Sequence, residues 1–241
     1  MHIKSKLINL TFILSLLIPA TVVGQVRLPK LVSDGMVLQR EADVKIWSWA
    51  AVGEKVTVNF LNKNYKSVAD SAGVWAIRLK GMKAGGPYTM TMKASNTVTL
   101  QDILIGDVWL CSGQSNMELP MRRVKPLYEQ EIANSENDLI RYFDVPQEYD
   151  FNKQREDVSN GQWQKTNPDN VLNFSAVAYF FGNELYNKYQ VPIGLIDTSL
   201  GGSPAEAWMS EDALKAFPEH YQEAQKFKDA NLPDQANRAA G

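Results

Sequence analysis

The sequence predicts a mixed α/β chain. Residues 25–103 read as an antiparallel β-sandwich-like part, and residues 104–241 as a parallel-sheet part with helices on its faces. Three observations carry this. Short β-rich runs recur between turn signals up to Ile103, the period then changes to buried strands alternating with a helix, and residues 1–24 stand apart from both.

Lys4 and Lys6 precede an apolar run from Leu7 to Ile18, and Val22 and Gly24 place small residues before Gln25. That pattern reads as a secretory leader cleaved before Gln25, with the mature protein secreted or periplasmic and free of the membrane. The run is shorter than the roughly 20 residues a spanning helix needs.

In the first part, Val44 to Trp49, Val56 to Phe60, Val74 to Leu79 and Tyr88 to Lys93 read as strands. The turns between them are placed at Val52-Gly53-Glu54, Asn62-Lys63-Asn64, Asp70 to Gly73 and Gly85-Gly86-Pro87. Trp47, Trp49 and Trp75 read as core residues, with a carbohydrate-binding face as the alternative.

In the second part, Asp102 to Cys111 and Leu139 to Phe143 are strand candidates. Phe174, Val177, Ala178, Phe181 and Leu185 recur at helical spacing behind a cap at Asn173 or Ser175. Val191 to Ile196 is a buried strand, its Pro192 suited to the first residues. Residues 146–170 read as a polar excursion. Two short helices follow Trp208, one capped by Ser210 and one opened by Pro218.

Composition narrows the function classes. The net charge is −2, so there is no basic footprint for nucleic acid. One cysteine, Cys111, excludes an internal disulfide and a cysteine-rich zinc site. Acids and histidines do not cluster at ligand spacing, so neither metal nor cofactor is expected. No GxGxxG or Walker-type loop occurs.

Two strand-to-helix corners bear the reactive residue types. One is Cys111-Ser112-Gly113-Gln114-Ser115-Asn116-Met117, and the other Asp197-Thr198-Ser199-Leu200-Gly201-Gly202-Ser203. Both follow buried strands, where open α/β sheets place their functional crevice. Together they could supply a nucleophile and an oxyanion hole. The α/β-hydrolase elbow Gly-x-Ser-x-Gly is absent, because its fifth position is Met117.

Gly106 to Met117 closely resembles the nucleophile block of the sialate O-acetylesterases, within the SGNH (GDSL-like) hydrolases. Phe174 to Gly182, Val191 to Trp208 and Leu31 to Arg40 resemble further blocks of the family. The resemblance implies an SGNH-type α/β/α domain and a serine esterase that removes O-acetyl groups from sugars. An acetylxylan-type esterase and a non-catalytic glycan-binding protein are the alternatives. It implies Ser115 as nucleophile, with the N–H groups of Ser115 and Gly202 in the oxyanion hole. Gln114, Asn116 and Gly201 would shape the site. The family's closing Asp-x-x-His block is not found. His220 would need Asp at position 217, which is Phe217. Asp197 and Asp107 read as turn or cap residues. The chain is therefore expected to be the N-terminal part of a larger enzyme, holding the nucleophile half of the site without its base.

Overall fold

The computed structural model describes residues 25–228; residues 1–24, where a leader is expected, and residues 229–241 lie outside the described residues. The chain is a mixed α/β structure built on a large mixed sheet. Its strands are β1 (Val37–Gln39), β2 (Val44–Trp49), β3 (Lys55–Phe60), β4 (Lys63–Val68), β5 (Val74–Leu79), β6 (Gly85–Lys93) and β7 (Thr97–Cys111). Three short helices follow: α1 (Ser115–Glu118), α2 (Met121–Val124) and α3 (Glu129–Ala133). Then come β8 (Asn137–Asp144), β9 (Trp163–Thr166), α4 (Ala176–Tyr189), β10 (Ile193–Asp197), α5 (Glu211–Leu214) and α6 (Pro218–Lys226).

The main sheet runs β4-β3-β6-β7-β10-β8-β9, with β1 also on β7; β2 and β5 pair as a separate ribbon. Alternation explains the ribbon. Ile46 and Ser48 of β2 and Trp75, Ile77 and Leu79 of β5 point inward. Ile46, Trp75, Ile77 and Leu79 join Val56, Val58, Phe60, Met90, Met92, Ile103 and Ile105 in one buried cluster. Trp75 is thus a core residue, while Trp47 and Trp49 are half-buried and pack edge to face.

β4 departs from the expected turn at Asn62-Lys63-Asn64. The turn lies one residue earlier, at Leu61 and Asn62, both with positive φ, and Lys63 already pairs with Phe60. β4 is an exposed edge strand, so its polar residues hid the strand signal.

β7 continues through position 103, so one strand belongs to both parts of the chain. Its first half pairs antiparallel with β6, from Thr97 against Lys93 onward. Its second half pairs parallel with β10, with Asp107 opposite Ile193 and Cys111 opposite Asp197. β8 lies beyond β10 in parallel, with Asp144 opposite Asp197. The 146–170 excursion contains β9, antiparallel to β8.

The Ser175 side chain caps α4 by accepting from the Ala178 N–H at 3.1 Å, and Gln190 ends the helix in the left-handed region. α4 packs on β10, burying Ala178 and Tyr179 in a second cluster with Ile140, Tyr142, Ile193 and Leu195. Helices do not cover the opposite face near Gly194. Val37 of β1 and Trp163 of β9 come against it instead: a Cβ on Gly194 would meet them at 2.8 and 3.4 Å.

Polar ties link the first part of the chain to the second. Arg141, 2% exposed, donates to Asp102 at 2.9 and 3.1 Å. Burial works against the Asp102 charge, but Arg141 and nearby Lys165 hold its carboxyl below the ordinary range. Arg40 grips Asp107 at 2.8 and 3.1 Å.

Candidate active site

Parallel pairing of β7 and β10 sets the site by ending both strands at one sheet edge. The two segments stay tied beyond the strands. The Thr198 N–H donates to the Cys111 carbonyl at 2.8 Å, and the Leu200 N–H to the Gly113 carbonyl at 2.9 Å. Gln114 reaches across from the other side, its Nε2 donating to the Ser203 carbonyl at 2.8 Å. The two corners named from sequence therefore form one unit.

Ser115 is the first residue of α1 and is exposed, as are Gln114 and Asn116. Gly201 comes so close that an added Cβ would lie 3.7 Å from the Ser115 Cα and 2.1 Å from Glu118 Oε2. A side chain there would have to displace the Glu118 carboxylate. At Gly202 glycine is required by backbone conformation, since φ is +75° while the space around it is open. Among the described residues, no hydrogen-bond acceptor takes the N–H of Ser115 or Gly202. Those two donors remain free for a ligand.

Buried polar residues hold the second corner in place. Asp197, 4% exposed, accepts from the Ser199 N–H at 2.8 Å and from the Tyr142 hydroxyl at 2.5 Å. The Tyr142 hydroxyl in turn accepts from the Ser175 N–H at 3.0 Å. Burial and the Asp197 charge push the Tyr142 phenol far up, so it stays a donor. Ser203 donates to the Leu200 carbonyl at 2.6 Å and accepts from Trp208 at 2.9 Å. Asp197 thus organises the turn, and Asp107 is committed to Arg40.

Sequence reading missed Tyr142, Glu118 and Gln147. Gln147 Nε2 donates to Glu118 Oε1 at 2.6 Å and to the Ser199 carbonyl at 3.1 Å, bracing both corners. A glutamine in a polar excursion carries no signal of such a role. The polar Tyr142 hydroxyl on a buried strand was the one hint available.

His220 sits on α6, more than half exposed. Its Nδ1 lies 3.0 Å from Glu206 Oε1, and its ring meets Phe217 edge to face. Cys111 is buried, and desolvation with the Asp197 charge pushes its thiol up to about 11, which leaves it unreactive. Among the described residues, no group of three His, Cys, Asp or Glu is placed to hold a metal.

Asp144 is exposed at the rim, yet its carboxyl is crowded. Desolvation, then the charge of Asp197, pushes it up to about 6 from 3.8. A raised carboxyl pKa contributes stability below the ordinary value and loses it as pH rises through the folded one. Asp144→Asn removes the conflict. Its Tm should match the parent's at about pH 3 and exceed it by a few degrees at about pH 7.5, an effect kept to about 1 kcal/mol or less by solvent screening. A pH-independent difference would show that Asp144 and Asp197 do not repel.

Comparison with known proteins identifies the family. A family model described as "Carbohydrate esterase, sialic acid-specific acetylesterase" matches residues 105–233. The sialate O-acetylesterase of Homo sapiens is 34% identical over 209 residues, which is 79% of this chain and 40% of that protein. That of Rattus norvegicus is 34% identical over 212 residues, or 79% and 38%. The crystal structure of a carbohydrate acetylesterase from Xanthomonas citri superimposes with a TM-score of 0.76 at 36% identity, covering 79% of this chain and 44% of that one. The chain thus spans about 40% of the length of the curated relatives it matches. On the family match, the chain belongs to the sialic acid-specific acetylesterase family of carbohydrate esterases.

Proposed function

We propose that the protein is a secreted or periplasmic carbohydrate O-acetylesterase acting on acetyl esters of sialic acid or related glycans, after cleavage before Gln25. The observation that carries this is the junction of the two corners. An exposed Ser115 stands against a loop that three hydrogen bonds tie to it, beside two N–H groups with no described acceptor.

In this reading Ser115 Oγ adds to the acetyl carbonyl carbon and gives its proton to a base. The C–O bond to the sugar breaks as the leaving oxygen takes a proton, and water then releases acetate from acetyl-Ser115. The Ser115 and Gly202 N–H groups stabilise the oxyanion. Gly201 permits the close approach, and Gln114 and Asn116 shape the turn. Acyl transfer of this kind needs no cofactor. The base is assigned to no described residue: no hydrogen bond joins the exposed His220 to Ser115 among the described residues. Residues 25–103 are read as a sandwich-like part and the remainder as an SGNH-type sheet part.

A second reading, a glycan-binding protein with an incomplete site, is favoured by the absence, among the described residues, of a histidine hydrogen-bonded to Ser115. The test is acetate release by the full chain from an O-acetylated sialic acid and from p-nitrophenyl acetate. Release from the activated p-nitrophenyl ester is expected, since its leaving group needs little help from a base; release from the sugar ester depends on the base that no described residue supplies. No release from folded protein overturns the esterase reading for this chain in favour of glycan binding.

A further inference from the structure

A cavity of about 380 Å³ lies away from Ser115, between the first part of the chain and residues 145–159. Its size falls within the range of small-molecule sites. Leu31, Val32 and Trp47 supply an apolar and aromatic side; Glu148, Arg155 and Glu156 supply polar groups. Such a wall suits the C–H face of a pyranose, and carboxylates with a guanidinium suit its hydroxyls.

Glu148 and Arg155 are already held in place. Arg155 pairs with Glu148 and, at 3.4 Å, with Asp150; Ser159 donates to Glu148. Asp157 accepts from the Lys30 N–H at 3.2 and 3.3 Å, fastening the 145–159 segment to the first part of the chain. Side chains fixed before binding lose little freedom on binding. The lining carries three acids, Glu148, Glu156 and Asp157, against one base, Arg155. That balance rejects anions, including the carboxylate of a sialic acid, and accepts a neutral polyol.

The segment that walls the cavity also touches the Ser115 corner. Gln147, between Pro146 and Glu148 of the lining, is the residue that donates to Glu118 and to the Ser199 carbonyl. We propose that this cavity is a glycan-binding site for a neutral pyranose, separate from the Ser115 corner, with Trp47 as its stacking platform. The inference rests on the cavity and not on the esterase reading, since binding is measured without turnover.

The experiment is calorimetric titration of the full chain with xylohexaose and with chitohexaose, two neutral oligosaccharides. Saturable binding of at least one is expected, with Kd on the order of 10⁻⁴ M. Trp47→Ala should weaken it about tenfold or more, and Glu156→Gln several-fold. Ser115→Ala should leave it unchanged. Glu156 is exposed, so its variant stays informative if Trp47→Ala misfolds. The inference is overturned if neither sugar binds, if binding survives both cavity substitutions, or if Ser115→Ala removes it.

Discussion

On the esterase reading, and where a general base serves Ser115, Ser115→Ala is expected to cut acetate release by at least about 10³-fold while leaving the fold intact. Without Oγ no acetyl-enzyme can form, and the N–H groups of Ser115 and Gly202 can only polarise an ester for attack by water. The substitution touches no packed surface. Ser115 is exposed, and alanine is a better helix former at the start of α1, so stability should change by less than about 0.5 kcal/mol. Acetate release and Tm measured on the same preparation separate a chemical loss from unfolding. Turnover equal to the parent's would remove Ser115 from the reaction, and a large fall in Tm would make any loss of activity uninformative about chemistry.

Gly106→Ala is expected to destabilise the protein more than any exposed glycine replacement, by about 3 kcal/mol or more. A Cβ there would lie 1.9 Å from the Pro192 carbonyl oxygen, 2.5 Å from its carbon and 2.8 Å from its Cβ. Two of these are backbone atoms, so no rotamer change relieves the clash. Either β7 or the start of β10 must move. Movement would break the Asp107 N–H bond to the Pro192 carbonyl, 2.9 Å, where the parallel register begins. It would also shift the strand that delivers Asp197 and the Gly201-Gly202 loop. For about 200 ordered residues, 3 kcal/mol corresponds to a Tm fall of roughly 10 °C. Gly53→Ala is the control: its Cβ would meet nothing within 4 Å, and its cost is only that of φ +75°, about 1 kcal/mol. Equal melting shifts in the two variants would show that the β7–Pro192 approach is looser than described.

The two corners could be found in the sequence because each is a buried apolar strand that stops abruptly at Gly and Ser. The Ser175 cap, the Pro218 helix start and the strands at Val44, Val74 and Ile193 were legible for similar local reasons: hydroxyl capping, fixed φ and alternation. β4 was not, because an edge strand exposes polar residues on both sides and resembles a loop. The strand candidate from Asp102 to Cys111 captures only the later, apolar part of the run from Thr97 to Cys111. The run is one strand whose partner changes from β6 to β10.

What the sequence alone determined was the local chemistry: which serine stands at a strand end, which glycines must follow, and which helices begin where. Those depend on neighbours a few residues apart, so composition and period reveal them. Only the tertiary structure decided that Gln147 braces Glu118 and Ser199, that Asp197 is spent on Tyr142 and the Ser199 turn, and that His220 belongs to Glu206. Among the bracing contacts, those of Gln147 and the Tyr142–Asp197 bond span 29 to 55 residues. They exist because parallel pairing of β7, β10 and β8 brings three strand ends to one edge. Hydrogen bonds act over about 3 Å, so no pattern along the chain can announce partners that only the sheet brings within reach.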